Sequence, residues 1–143
     1  FAEMLAEAVR RRVALLDRNL SRVFQLRGYA LRRASAEIFR DVLHPVIPAE
    51  TPSSPYILSF LVYDRKTVYQ GAILARTLEN DGIYVSSGSA CDAETPEPSA
   101  TLTAMGVSRK QAYGLLRISF SEQNTEAEIG TFFDSLAKII ENY

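Results

Sequence analysis

The chain has 143 residues, 47% hydrophobic and 23% charged, with a formal net charge of −1. That composition suits one globular domain and excludes intrinsic disorder, and no run approaches the roughly 20 apolar residues that span a bilayer. One cysteine, Cys91, and one histidine, His44, exclude an intrachain disulfide, a cysteine-cluster zinc site, a histidine-rich metal site and most His-centred triads.

The chain opens at Phe1 inside a helical pattern. Phe1, Leu5, Val9, Val13, Leu16, Leu20 and Val23 form one apolar stripe at helical spacing. Glu3, Glu7 and Arg10 to Arg12 interrupt the first dozen residues, so they do not read as a signal peptide. The expectation is a piece of a longer protein, with Met4 the alternative start. Residues 1–40 carry nine arginines against four acidic residues, a net of +5, and the remainder carries −6. Such an arm can bind nucleic acid or a membrane surface. Few aromatics interleave with the arginines, which favours a solvated arginine face or docking on an acidic partner domain. Gly28 is the candidate break in this helix. Leu31, Ala34, Ile38 and Val42 resume the pattern, and His44-Pro45 should end it. The chain thus divides into a helical arm over 1–44 and a body over 45–143, read as one domain.

Residues 45–55 (PVIPAETPSSP) are a loop. Tyr56 to Tyr63 is a strand covered on both faces, followed by a turn at 64–66. A helix spans 68–81, with Gly82 just past its end. Residues 83–85 form a short strand, and 92–98 form an acidic loop. A short helix covers 99–105, Ser108 and Gln111 cap another, and 115–120 is a strand. Thr125 and Glu128 match a capping box that opens the final helix, with Ile129, Phe132, Leu136 and Ile139 on its inner stripe. The predicted fold class is α+β, a two-layer α/β arrangement. Its small sheet has about three strands, with helices mainly on one face.

The segment that carries chemistry is Ser86-Ser87-Gly88-Ser89-Ala90-Cys91: five small residues after a strand, then the only cysteine. Small residues let backbone approach a ligand and let a loop move. A thiol on such a loop is open to reaction, whereas structural cysteines sit in apolar surroundings; composition leaves both readings of Cys91 standing. In the strand 115–120, Leu116, Ile118 and Phe120 share one face and Arg117 points to the other with Leu115 and Ser119. An ion pair with Glu122 or Glu126 is the plain reading of Arg117.

Residues 82–129 (GIYVSSGSACDAETPEPSATLTAMGVSRKQAYGLLRISFSEQNTEAEI) resemble the C-terminal small domain of the cysteine desulfurases. These are pyridoxal-phosphate enzymes of the class-V aminotransferase family, with the aspartate-aminotransferase fold. Gly82-Ile83, SSGSAC, Glu97-Pro98-Ser99, Ala104-Met105-Gly106, Leu116-Arg117-Ile118-Ser119 and Thr125-x-x-Glu128 come in the family's order. The resemblance implies that Cys91 is the nucleophile. As thiolate it takes sulfur from L-cysteine, leaving a persulfide and L-alanine. It implies that Ser86 to Ala90 form a mobile loop and that Arg117 grips the substrate carboxylate, a task for which a guanidinium fork is suited. Three features depart from the family pattern. Asp92 replaces a small neutral residue and would disfavour a thiolate. Ala100 stands where many relatives carry histidine, and Ser53-Ser54-Pro55 replaces an asparagine-rich lead-in.

The family also implies pyridoxal phosphate in the full-length protein and none held by this chain alone. Lys66, Lys110 and Lys138 do not sit in the His-Lys context of the family, His44 does not match its ring-stacking histidine, and no glycine-rich phosphate loop is present. The isolated chain is then inactive. Further implications are a sulfur-acceptor or scaffold protein partner, iron–sulfur cluster biogenesis, a homodimer when full length, no membrane or nucleic-acid partner, and the cytoplasm or an organelle matrix. Residues 1–25, without the rest of such a protein, would pair with another copy through the apolar stripe. Alternatives are another class-V aminotransferase, a selenocysteine lyase relative, or a non-catalytic sulfur-carrier or interaction module.

Overall fold

The structure, a computed structural model, describes residues 1–48, 50–88 and 99–143. Its elements in order are α1 (Ala2–Ala14), α2 (Leu16–Ala34), a 3-10 turn (Glu37–Phe39), β1 (Leu43–Pro45), β2 (Ile57–Val62), α3 (Gly71–Asn80), α4 (Ala100–Ala104), α5 (Arg109–Ala112), β3 (Leu115–Ser119) and α6 (Glu126–Glu141). The three strands form one antiparallel sheet in the order β1-β2-β3. Leu43 faces Val62 across one ladder, and Ser59 faces Arg117 across the other. The predicted α+β class and the three-stranded sheet are observed.

Period-2 alternation in β2 decides the layers. Leu58, Phe60 and Val62 join Leu116 and Ile118 in the main core. Against them pack Val23, Leu26 and Ala30 of α2, Leu74 and Leu78 of α3, and Ile129, Phe132, Phe133 and Leu136 of α6. Each fully buried large apolar side chain contributes roughly 1.5–3 kcal/mol. Leu61 belongs to a second, smaller cluster with Leu102 of α4 and Ala112 of α5. Helices α2, α3 and α6 therefore share one core, and the short α4 and α5 another. Both capping predictions hold: Ser108 Oγ accepts from the Gln111 N–H at 3.2 Å. At α6 the Thr125 N–H donates to Glu128 Oε2 at 2.7 Å, and the Glu128 N–H donates to Thr125 Oγ1 at 3.2 Å.

Four expectations need correction. The arm breaks at Leu15 (φ −103°, ψ 1°), not at Gly28, which lies inside a continuous α2. Packing of the surrounding turns on the core, through Val23, Leu26 and Ala30, holds Gly28 helical; nothing in the sequence explains the break at Leu15. The apolar stripe is core only in its second half: α1 buries no residue, and Val23 is fully buried. The helix does not run to His44. Ala36 is extended (φ −60°, ψ 152°), the chain turns through residues 37–39, and Leu43–Pro45 is an edge strand. Proline is tolerated on a sheet edge because its missing N–H costs no ladder bond there. Finally, residues 83–85 are not a strand. They run alongside the body half-buried or exposed, and only Ser86 pairs with the sheet.

Candidate functional site

The site is built around β3. Arg117 is half-buried, and its backbone is held on both sides. On one side it pairs with Ser59 of β2. On the other, the Arg117 N–H donates to the Ser86 carbonyl at 2.7 Å, and the Ser86 N–H donates to the Arg117 carbonyl at 3.0 Å. The start of the SSGSAC segment is thereby fixed against the strand that carries the arginine. Alternation sends the Arg117 side chain away from Leu116 and Ile118, onto the face of Leu61 and Leu115.

The ion pair that sequence offered Arg117 is not made. Glu122 Oε1 instead accepts from Arg12 Nη1 at 2.5 Å, bringing α1 onto the loop after β3. Among the described residues, the Arg117 guanidinium has neither an ion pair nor a hydrogen bond, so its fork is open to a carboxylate.

Gly71, the first residue of α3, was not singled out by sequence, yet it sets the site's packing. A Cβ there would overlap the Leu115 carbonyl oxygen and lie 3.4 Å from Ser87 Cβ. Only glycine lets the first turn of α3 seat between β3 and the SSGSAC segment. The Gly71 N–H donates to the Tyr113 carbonyl at 2.9 Å, which fixes that seat. A glycine at a helix start is a weak signal in sequence, because such residues are common there for other reasons.

Ser86, Ser87 and Gly88 are half-buried at this junction. Ser89, Ala90 and Cys91, with Asp92, lie outside the described residues. Ala100 is the exposed first residue of α4. His44 is structural: its ring stacks on Tyr63 at 4.0 Å, and its Nε2 lies 3.0 Å from the Tyr63 carbonyl, which can only accept. Lys66, Lys110 and Lys138 are exposed; Lys110 lies on α5, whose Ala112 packs with Leu61 and Leu115. Among the described residues, no cluster of three or more His, Asp or Glu side chains is placed to hold a metal ion, and no helix is long and apolar enough to cross a membrane.

The chain as a whole is similar to known proteins. A solved NifS-like protein superposes with a TM-score of 0.75 at 28% identity, over 96% of this chain and 32% of that one. By sequence, the chain is 26% identical over 137 residues to cysteine desulfurase IscS of Dictyoglomus turgidum, covering 96% of this chain and 33% of the relative. The chain is related to the C-terminal portion of the cysteine desulfurases. A NifS/IcsS protein homolog of Lactobacillus delbrueckii is 29% identical over 119 residues, and a cysteine desulfurase of Gluconacetobacter diazotrophicus is 39% identical over 71. A NifS-like protein from Rickettsia africae shares the fold, with a TM-score of 0.73 at 20% identity. No family model matches the chain. The chain spans about a third or less of the length of the curated relatives it matches: 30% of the Lactobacillus protein and 18% of the Gluconacetobacter one.

Proposed function

We propose that this chain is the C-terminal portion of a cysteine desulfurase that takes sulfur from L-cysteine as a persulfide on Cys91 and releases L-alanine. The observation that carries the reading is the Ser86–Arg117 pairing, which ties the base of the SSGSAC segment to an arginine whose guanidinium has no partner among the described residues. In this reading Arg117 binds the substrate carboxylate through two parallel N–H···O bonds and so orients the substrate sulfur. The Cys91 thiolate attacks that sulfur. A sulfur–sulfur bond forms, the carbon–sulfur bond breaks, and its electron pair stays on the carbon, which takes up a proton. Glycine and serine at 86–89 give the chain between Arg117 and Cys91 little side-chain bulk, suited to carrying the persulfide to an acceptor protein.

Pyridoxal phosphate would supply the electron withdrawal that weakens the carbon–sulfur bond. The described residues do not fit that group by themselves. The three lysines are exposed, so in this reading the cofactor's amine partner comes from the other two thirds of such a protein. The full-length protein works as a homodimer, delivers sulfur to an acceptor or scaffold for iron–sulfur cluster assembly, and resides in the cytoplasm or an organelle matrix. The test is to incubate the full-length polypeptide with pyridoxal phosphate and L-cysteine. L-Alanine should appear, and non-reducing peptide mass analysis should find one extra sulfur atom on Cys91. Alanine release that persists in Cys91→Ser would contradict the reading.

A further inference from the structure

Where α1 meets α2, the break at Leu15 opens a cleft of about 440 Å³ lined by Arg12, Leu15, Arg18, Asn19, Arg22 and Glu122. Its polar groups are incompletely partnered. Asn19 is more than nine-tenths buried, and its side-chain amide makes no hydrogen bond among the described residues. Glu122 Oε2 is buried with no partner, although Oε1 is engaged by Arg12. Arg18 has no partner among the described residues, and Arg22 spends only one N–H, on the Asn124 carbonyl at 3.2 Å. Among the described residues Glu122 Oε2 is the one buried polar side-chain atom left without a partner, while Arg18 is exposed and Arg22 half-buried; an unpaired buried polar group costs about 1–3 kcal/mol, so an occupant that donates to it is favoured.

The charges say which kind. Arg12 and Glu122 neutralise one another, leaving Arg18 and Arg22 as two uncompensated cations, a match for a dianion. Glu122 is held below the usual carboxylate range, first by its own backbone N–H and then by Arg12, so it remains an ionised acceptor. A bare dianion would face this carboxylate oxygen unfavourably; one that carries an O–H would donate to it. We propose that the α1–α2 cleft is a binding site for a phosphate-type oxyanion bearing an O–H, gripped by Arg18, Arg22 and the Asn19 amide, with its hydroxyl donating to Glu122 Oε2. The site is separate from the β3 face and stands independently of the desulfurase reading.

Inorganic phosphate is the probe, titrated into the 15N-labelled chain at constant ionic strength near neutral pH, against sulfate and chloride. Phosphate should shift the Asn19 side-chain amide resonance saturably. It should bind at least tenfold more tightly than sulfate, which has the same charge but no proton to give. Arg18→Ala removes an exposed, unpartnered side chain and leaves the fold intact, and it should weaken phosphate binding at least tenfold. The proposal is overturned if the Asn19 amide does not respond, if sulfate or chloride binds as tightly as phosphate, or if Arg18→Ala binds like the parent.

Discussion

Arg117 and Ser86 face each other as an isolated antiparallel pair, exchanging hydrogen bonds of 2.7 and 3.0 Å outside any regular strand. Two backbone bonds are enough to dock the start of the SSGSAC segment on the sheet while leaving the residues before it unzipped. Residues 83–85 have strand-like composition, but Gly82 (φ +74°) ends α3, and the Ile83 N–H is spent on the Leu78 carbonyl. The pairing therefore begins only at Ser86.

Arg117→Lys should impair substrate binding without unfolding the protein. The guanidinium has no partner among the described residues, so the thermal midpoint should stay near that of the parent. Loss of bidentate charge-assisted bonds, about 1.5–3 kcal/mol, should raise the KM for L-cysteine about 10- to 100-fold in the full-length enzyme. A variant that lowers the melting temperature while sparing KM would mark Arg117 as structural.

Gly71→Ala should destabilise the chain by roughly 1–3 kcal/mol, because a methyl group there meets the Leu115 carbonyl, which is backbone and cannot rotate away. Urea denaturation checks this. Backbone resonances of Ser87 should also move, since its Cβ is the next neighbour. Unchanged stability and an unmoved Ser87 would remove Gly71 from the account.

These two residues mark how far the sequence could be read. The strand face of Arg117, β2, α3 and α6 were legible because their signals are local: alternation, apolar spacing at 3.6, and the Thr125–Glu128 box. The spacing of Ile38 and Val42 misled, because a helical period says nothing of Ala36 turning extended or of Leu43 finding Val62 across the sheet. The Arg12–Glu122 pair joins residues 110 apart in the chain, so no window of sequence could show it. The same holds for the contact of Gly71 with Leu115.

Arg27 is buried in α2, where its Nη1 donates to the Ile57 carbonyl at 2.5 Å and its Nη2 to Ser53 Oγ at 3.2 Å. It clamps the end of the proline-rich loop and the start of β2 onto the helix. Arg27→Met keeps the length and removes the donors, and it should cost about 1.5–3 kcal/mol in urea unfolding. A loss under about 0.5 kcal/mol would show the clamp to be dispensable.

Acid should loosen the start of α6. The Glu128 carboxyl is held below its ordinary value, first by the Thr125 backbone N–H, then by the Thr125 hydroxyl and Asn124. A depressed carboxylate pKa contributes stability that is fully present above the unfolded value, near 4.3, and lost as pH falls through the folded value. Glu128→Gln should flatten the fall in stability below about pH 5. Denaturant midpoints at a series of pH values measure it; parallel profiles for the two proteins would contradict the assignment.

If Cys91 receives the substrate's sulfur, the mass of the Cys91 peptide after one turnover reveals it. Full-length protein is mixed with limiting L-cysteine in the presence of pyridoxal phosphate, alkylated without reductant, and digested. The peptide containing Cys91 should be heavier by one sulfur atom and should return to its original mass on reduction. A Cys91 peptide of unaltered mass, recovered while L-alanine accumulates, would contradict it.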